Sequence, residues 1–143
     1  MANFETALTK LLVKEGGATI SDHKHDRGGI TKWGISKLAY QDLDIASLTY
    51  EQAKEIYKRD YWDKFKLDTQ DSQKVAEVLF EAGVHMGVKT ALRIFNSLKS
   101  QLNKEETIIV QFKLALAWRY ARICMRNSTQ RVFLLGWLKR IFS

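Results

Sequence analysis

The stretch VKEGGATISDHKHDRGGITKWGISK, Val13 to Lys37, concentrates glycine, three acidic side chains and two histidines in a short span of chain. Two or more carboxylates close in sequence can do general acid and base work on a glycosidic bond. One protonates the leaving oxygen while another steadies positive charge or activates water. Glu15 is the candidate acid. A helix predicted upstream ends just after it, where unpaired carbonyls carry partial negative charge and an ionised carboxylate is disfavoured. Desolvation in a cleft would act in the same direction. Asp22 and Asp26 follow in a glycine-bearing loop, and Thr31 offers a hydroxyl able to hold an attacking water. Gly28 and Gly29 allow tight turns and close approach of a sugar chain. Taken singly, a solvated glutamate and an Asp/Gly-rich turn are ordinary features; their order carries the information.

Other chemistry is less well supported. His23 and His25, flanked by Asp22 and Asp26, could suggest a metal site, but two histidines at i, i+2 in a loop read as solvated and no cysteine cluster supports zinc, so no metal and no other cofactor is expected. His85 reads as a core or cleft-wall residue. There is no nucleophile–histidine–acid pattern and no phosphate-binding glycine loop. Trp33, lying in the loop, is the better candidate sugar contact; Tyr57 and Tyr61, at i, i+4, read first as core, with Tyr61 kept as a second candidate contact.

The elements that must hold these groups are mostly helical. Asn3 caps a first helix with Phe4, Leu8, Leu11 and Leu12 on one face, ending at Gly16-Gly17. Residues 18–31 lack a helical period and read as an irregular loop or short hairpin. A short helix is expected near 35–42. Thr49 with Gln52 forms a capping box for a helix through about Asp63, with Ala53, Ile56, Tyr57 and, as a further candidate, Tyr61 inward. Val75, Val78, Leu79 and Ala82 mark a further helix, broken or bent near Gly83–Gly87, and Leu92, Phe95, Leu98 and Leu102 mark the next. Ile108 to Met125 is apolar around much of its circumference and is expected to be the central buried helix. Asn127-Ser128-Thr129 then caps a last helix.

At 143 residues the chain is expected to form one domain, 1–143, with residues 1–75 as the catalytic part and 76–143 as a helical part. A monomer is expected. No apolar run approaches the roughly 20 residues that span a bilayer. The N-terminal stretch has no uninterrupted signal-like core, since Glu5, Lys10 and Lys14 interrupt it. Synthesis in the cytoplasm without a signal peptide, and assisted release towards the cell wall, is therefore expected. Cys124, the single cysteine, reads as packing.

The net charge of +7 is unevenly placed. No acidic residue follows Glu106, while Lys113, Arg119, Arg122, Arg126, Arg131, Lys139 and Arg140 do, and the preceding sequence is balanced. A polyanionic partner is implied. With Trp118, Tyr120 and Trp137, this region admits a wall-polymer patch, a nucleic-acid surface or a helix acting on anionic membranes.

KEGGATISDHKHDRGGITKWGIS resembles the signature of the glycoside hydrolase 108 family of bacterial and phage N-acetylmuramidases: E-G-G, a stretch with aspartates, then D-x-G-G-x-T-x-x-G-I. IYKRDYW (Ile56–Trp62), FEAGVHMG (Phe80–Gly87) and GWLKR (Gly136–Arg140) resemble its Y-x-x-x-Y-W segment, middle helix and C-terminal peptidoglycan-binding segment. The family usually has proline where this chain has Arg27. The resemblance implies a mainly α, lysozyme-like fold and cleavage of peptidoglycan glycan strands between N-acetylmuramic acid and N-acetylglucosamine. It implies Glu15 as catalytic acid. Roles for Asp26 and Thr31 follow by analogy with the Glu–Asp–Thr order of phage-type lysozymes, and Asp22 is the alternative aspartate. On this reading nucleic acid is not a partner, and Asp22, Gly29, Trp33 and Tyr61 contact substrate. The reading from another class is a non-catalytic module that binds wall or nucleic acid through its basic C-terminal helices.

Overall fold

The computed structural model describes residues 1–22 and 29–143. Among these the chain is mainly helical, with one short antiparallel hairpin after the first helix. It divides into two compact units, Met1–Ala76 and Glu77–Ser143.

In the first unit, α1 (Phe4–Lys14) starts where the Asn3 side chain accepts from the Thr6 amide at 2.8 Å. Such a cap satisfies an amide that the helix itself leaves orphaned. Phe4, Ala7, Leu8, Leu11 and Leu12 are buried along one stripe. The helix ends as the sequence predicts. Glu15 is its C-cap, Gly16 and Gly17 adopt φ of +82° and +57°, and the Gly17 amide reaches back to the Leu12 carbonyl at 3.0 Å. That long closing bond is the Schellman arrangement, which needs left-handed backbone and so favours glycine.

β1 (Thr31–Lys32) pairs with β2 (Ile35–Ser36), Thr31 opposite Ser36 and Lys32 opposite Ile35. On its other side Thr31 exchanges two backbone hydrogen bonds with Ser21, at 2.9 and 3.0 Å. The two-residue turn is Trp33-Gly34, both with positive φ, as a turn matching the twist of a tight hairpin requires. The helix expected near 35–42 does not form. Ile35 is drawn into the ladder and buried, Leu38 is left exposed, and Lys37 Nζ donates to the carbonyls of Gln41 and Leu43, folding the segment back. Without an apolar face to bury, a short helix there has nothing to stabilise it.

α2 (Tyr50–Tyr57) opens on the predicted capping box, with both the Thr49 and Gln52 side-chain bonds present. It runs into one π-helical turn, Lys58–Trp62, where the Asp63 amide donates to the Lys58 carbonyl at 2.9 Å. A π turn closes at i+5, so residues five apart share a face. Tyr57 and Trp62 are accordingly both buried, and Tyr61 is half-buried. Trp62 meets Phe4 edge-on at 5.4 Å and donates its indole N–H to Asp68 at 2.7 Å.

α3 (Gln73–Met86) carries the chain into the second unit, and Gly87, with φ +88°, makes the predicted break before α4 (Val88–Gln101). α5 (Glu105–Arg126) buries Ile108, Phe112, Leu116, Tyr120 and Cys124, one residue in four. Phe112 packs edge-on against Phe95 of α4 at 5.7 Å. Tyr120 stacks on Trp137 of α6 (Arg131–Phe142) at 4.8 Å. The helix expected to be central and buried buries one stripe and leaves a second apolar side exposed. Val110, Leu114 and Trp118 are 54%, 48% and 62% exposed. They lie two residues out of step with the buried stripe, about 200° around the helix, where no described element covers them. Among the described residues, no helix is long and apolar enough to cross a membrane.

Candidate active site

Three local structures meet around Glu15: the end of α1, the hairpin turn and the end of α2. Glu15 is half-buried at the C-cap. Gly34 lies against its stem, so a Cβ on Gly34 would come within 3.1 Å of both Cβ and Cγ of Glu15. The same Cβ would collide with the Tyr57 hydroxyl. Glycine at Gly34 thus meets two demands, its φ of +73° and the lack of space.

Trp33 is fixed at three points. Its amide donates to the Gly17 carbonyl at 2.9 Å, its indole N–H donates to the Leu48 carbonyl at 3.0 Å, and its carbonyl accepts from the Tyr57 hydroxyl at 2.7 Å. Its ring meets Tyr50 edge-on at 5.6 Å. These bonds hold a bulky residue at φ +54°, where side chains other than glycine are uncommon. The hairpin turn is thereby tied to α1 through Gly17 and to α2 through Tyr57.

Burial pushes the Tyr57 hydroxyl well above its ordinary range, and the charge of nearby Glu15 pushes it further. It therefore stays protonated and remains a donor to Trp33. Tyr61 lies 5.9 Å from Tyr57, ring to ring, and burial raises its hydroxyl too, against an opposing hydrogen bond with Tyr40. Tyr40 donates to Asp60 at 2.7 Å, and burial followed by that bond raises it strongly. The Arg59 guanidinium, two bonds of 2.7 Å away, holds the Asp60 carboxyl below the usual range, and Tyr40 assists. Beside this cluster runs a groove of about 400 Å³ lined by Tyr40, Leu43, Leu48, Gln52, Ile56 and Arg59, among others.

Of the residues singled out in the sequence, Glu15, Trp33 and Tyr61 lie in or against this cluster. Thr31 is on β1 with its hydroxyl donating to the Gly29 carbonyl at 3.3 Å. Gly29 has φ +68°, and Asp22 is exposed beside the Ser21 bridge. Asp26, His23, His25 and Gly28 lie outside the described residues. Among the described residues, no group of three or more His, Cys, Asp or Glu side chains is placed to hold a metal ion. Sequence reasoning assigned no task to Gly34, Tyr40 or the Tyr57 hydroxyl. Gly34 had a signal, being the glycine of the quoted G-I pair; Tyr40 had none.

The family profile described as Glycosyl hydrolase 108 matches residues 8–87, a span that contains every residue of this cluster. The chain belongs to the glycosyl hydrolase 108 family. It is a glycoside hydrolase, and the E-G-G glutamate, the hairpin and the π turn all fall within its family-matched part. No curated protein matches the chain. Among solved structures, the chain is similar to one titled "Structure of Brucella abortus SagA", with a TM-score of 0.73 and 24% identity over 96% of this chain and 88% of that one. That likeness extends the shared fold beyond the family-matched residues.

Proposed function

We propose that this glycosyl hydrolase 108 protein is an N-acetylmuramidase, a peptidoglycan hydrolase that cleaves the β-1,4 bond between N-acetylmuramic acid and N-acetylglucosamine, with Glu15 as general acid. The observation that carries the reading is Glu15 itself. The E-G-G glutamate stands half-exposed at a helix C-terminus, its stem pinned beneath the hairpin turn, inside the family match.

In this mechanism the carbonyl end of α1 favours the protonated carboxyl, which donates to the leaving glycosidic oxygen as the bond breaks. Oxocarbenium charge develops on the other sugar and is stabilised by a second carboxylate, Asp26 in the first instance and Asp22 in the alternative. Thr31 helps hold the water that completes hydrolysis. Trp33, Tyr61 and Gly29 border the bound glycan. Residues 1–75 do the chemistry, and the helical part, 76–143, carries the peptidoglycan-binding segment Gly136–Arg140. Its role is host lysis or passage through the wall.

The test is clearing of a peptidoglycan suspension with mass analysis of the fragments, which carry reducing N-acetylmuramic acid ends if the bond assignment is right. Glu15→Gln is expected to fold and to lose at least ~10²-fold in rate, the low end for removal of a general acid. A folded Glu15→Gln protein clearing at the wild-type rate would remove Glu15 from the mechanism.

A further inference from the structure

α5 carries a second apolar stripe besides the one it buries. Val110, Leu114 and Trp118 repeat every four residues on its exposed side, and Met125, 74% exposed, lies on the same arc. The four-residue repeat continues into Arg122 and Arg126, both exposed. An uncovered apolar stripe of this kind marks an interaction surface rather than scattered surface hydrophobes.

We propose that this face of α5 docks on an anionic lipid surface, with Leu114, Trp118 and Met125 entering the headgroup–acyl boundary and Arg122 and Arg126 contacting lipid phosphates. The charge pattern selects this partner. No acidic residue follows Glu106, and exposed Arg131 and Lys139 add to the basic character of the unit. A second copy of the chain would bring the same basic surface against this one and repel it. A glycan would require hydrogen-bonding groups that Val110, Leu114 and Met125 lack. A helix whose outer side joins Trp, Leu and Met to arginine suits an interface that is apolar below and anionic above. The long arginine stems can lie along apolar surface while their guanidinium groups stay among the phosphates. Docking here leaves the hydrolytic reading untouched, since neither the argument nor its test uses the Glu15 cluster.

The experiment is co-sedimentation of the full chain with phosphatidylglycerol–phosphatidylethanolamine vesicles and, in parallel, with phosphatidylcholine vesicles. Wild-type protein is expected to sediment with the anionic vesicles alone, less so as salt rises. Leu114→Ser with Trp118→Ser is expected to weaken binding at least ~10-fold while helicity by circular dichroism is retained. If that variant loses helicity, Arg122→Glu with Arg126→Glu carries the same test, because it leaves the apolar packing intact. The proposal is overturned if wild type ignores anionic vesicles, or if a folded variant binds them as tightly as wild type. It is equally overturned if light scattering shows a dimer that the serine substitutions dissolve, which would assign the stripe to a second copy.

Discussion

Tyr57 and Gly34 are in contact across the end of α2 and the tip of the hairpin, the phenol hydroxyl filling the space where a Gly34 side chain would be. The same hydroxyl donates to the carbonyl of Trp33, the neighbouring turn residue. The Glu15 stem borders the same space, since a Cβ on Gly34 would also come within 3.1 Å of the Glu15 Cβ and Cγ. The Glu15 stem and the Tyr57 hydroxyl therefore converge on one position that only glycine leaves open.

Gly34→Ala is expected to destabilise the protein by roughly 2–5 kcal/mol, combining a left-handed residue with a Cβ and an overpacked contact. Tyr57→Phe in the same chain removes the colliding oxygen. The double variant should accordingly be more stable than the sum of the single losses implies, with a coupling of roughly 0.5–3 kcal/mol. Denaturant melts of the four proteins measure it; additive losses would mean that the two residues do not touch.

Tyr57→Phe alone leaves the Trp33 carbonyl without this donor and is expected to cost about 1–3 kcal/mol. It should also change the alkaline response. Folding raises the Tyr57 hydroxyl above the ordinary 10.0. Above that pH the unfolded chain loses the proton while the folded one keeps it, so the stabilisation is complete below pH 10.0 and is lost as pH climbs towards the folded value. Tyr40 and Tyr61, raised in the same direction, add to the slope. Melting temperatures above pH 10.0 should fall less steeply in Tyr57→Phe than in wild type.

On the proposed mechanism, Asp26→Asn and Thr31→Ala lower turnover with little change in substrate binding, because both act after the glycan is in place. Asp22→Asn, at a residue read as a substrate contact, should leave kcat nearly unchanged and act on KM instead. Separate kcat and KM values on a soluble glycan decide between the aspartates. A damaging Asp22→Asn with a harmless Asp26→Asn would exchange their roles.

Thr49→Ala removes the acceptor from the Gln52 amide and half of the capping box at the start of α2. The expected loss is about 1 kcal/mol, within the usual range for an N-cap. The catalytic rate at low temperature should stay close to wild type, since Tyr57 lies at the opposite end of that helix. A thermal melt and a clearing assay on the same sample separate the two effects.

What was legible in the sequence is what neighbouring residues decide among themselves. Asn3 and Thr49 announce helix starts because a side-chain oxygen and an orphan amide lie three residues apart. Gly16-Gly17 announces a stop because only left-handed backbone can close the last turn. Glu15 at a helix end followed from that local grammar, and the family pattern supplied its suggested chemistry. Tertiary structure decided the rest. Trp33 adopts a positive φ because Gly17, Leu48 and Tyr57 hold it, and these are distant in sequence. Ile35 chose a strand over the predicted helix because Lys32 and a buried site were available to it. Tyr57, buried in the core as its helical spacing implied, also became a donor only when the turn's carbonyl arrived within 2.7 Å. For α5 the composition is apolar on two sides, and which side is covered depends on where α4 and α6 pack, a contact between segments that periodicity alone does not contain.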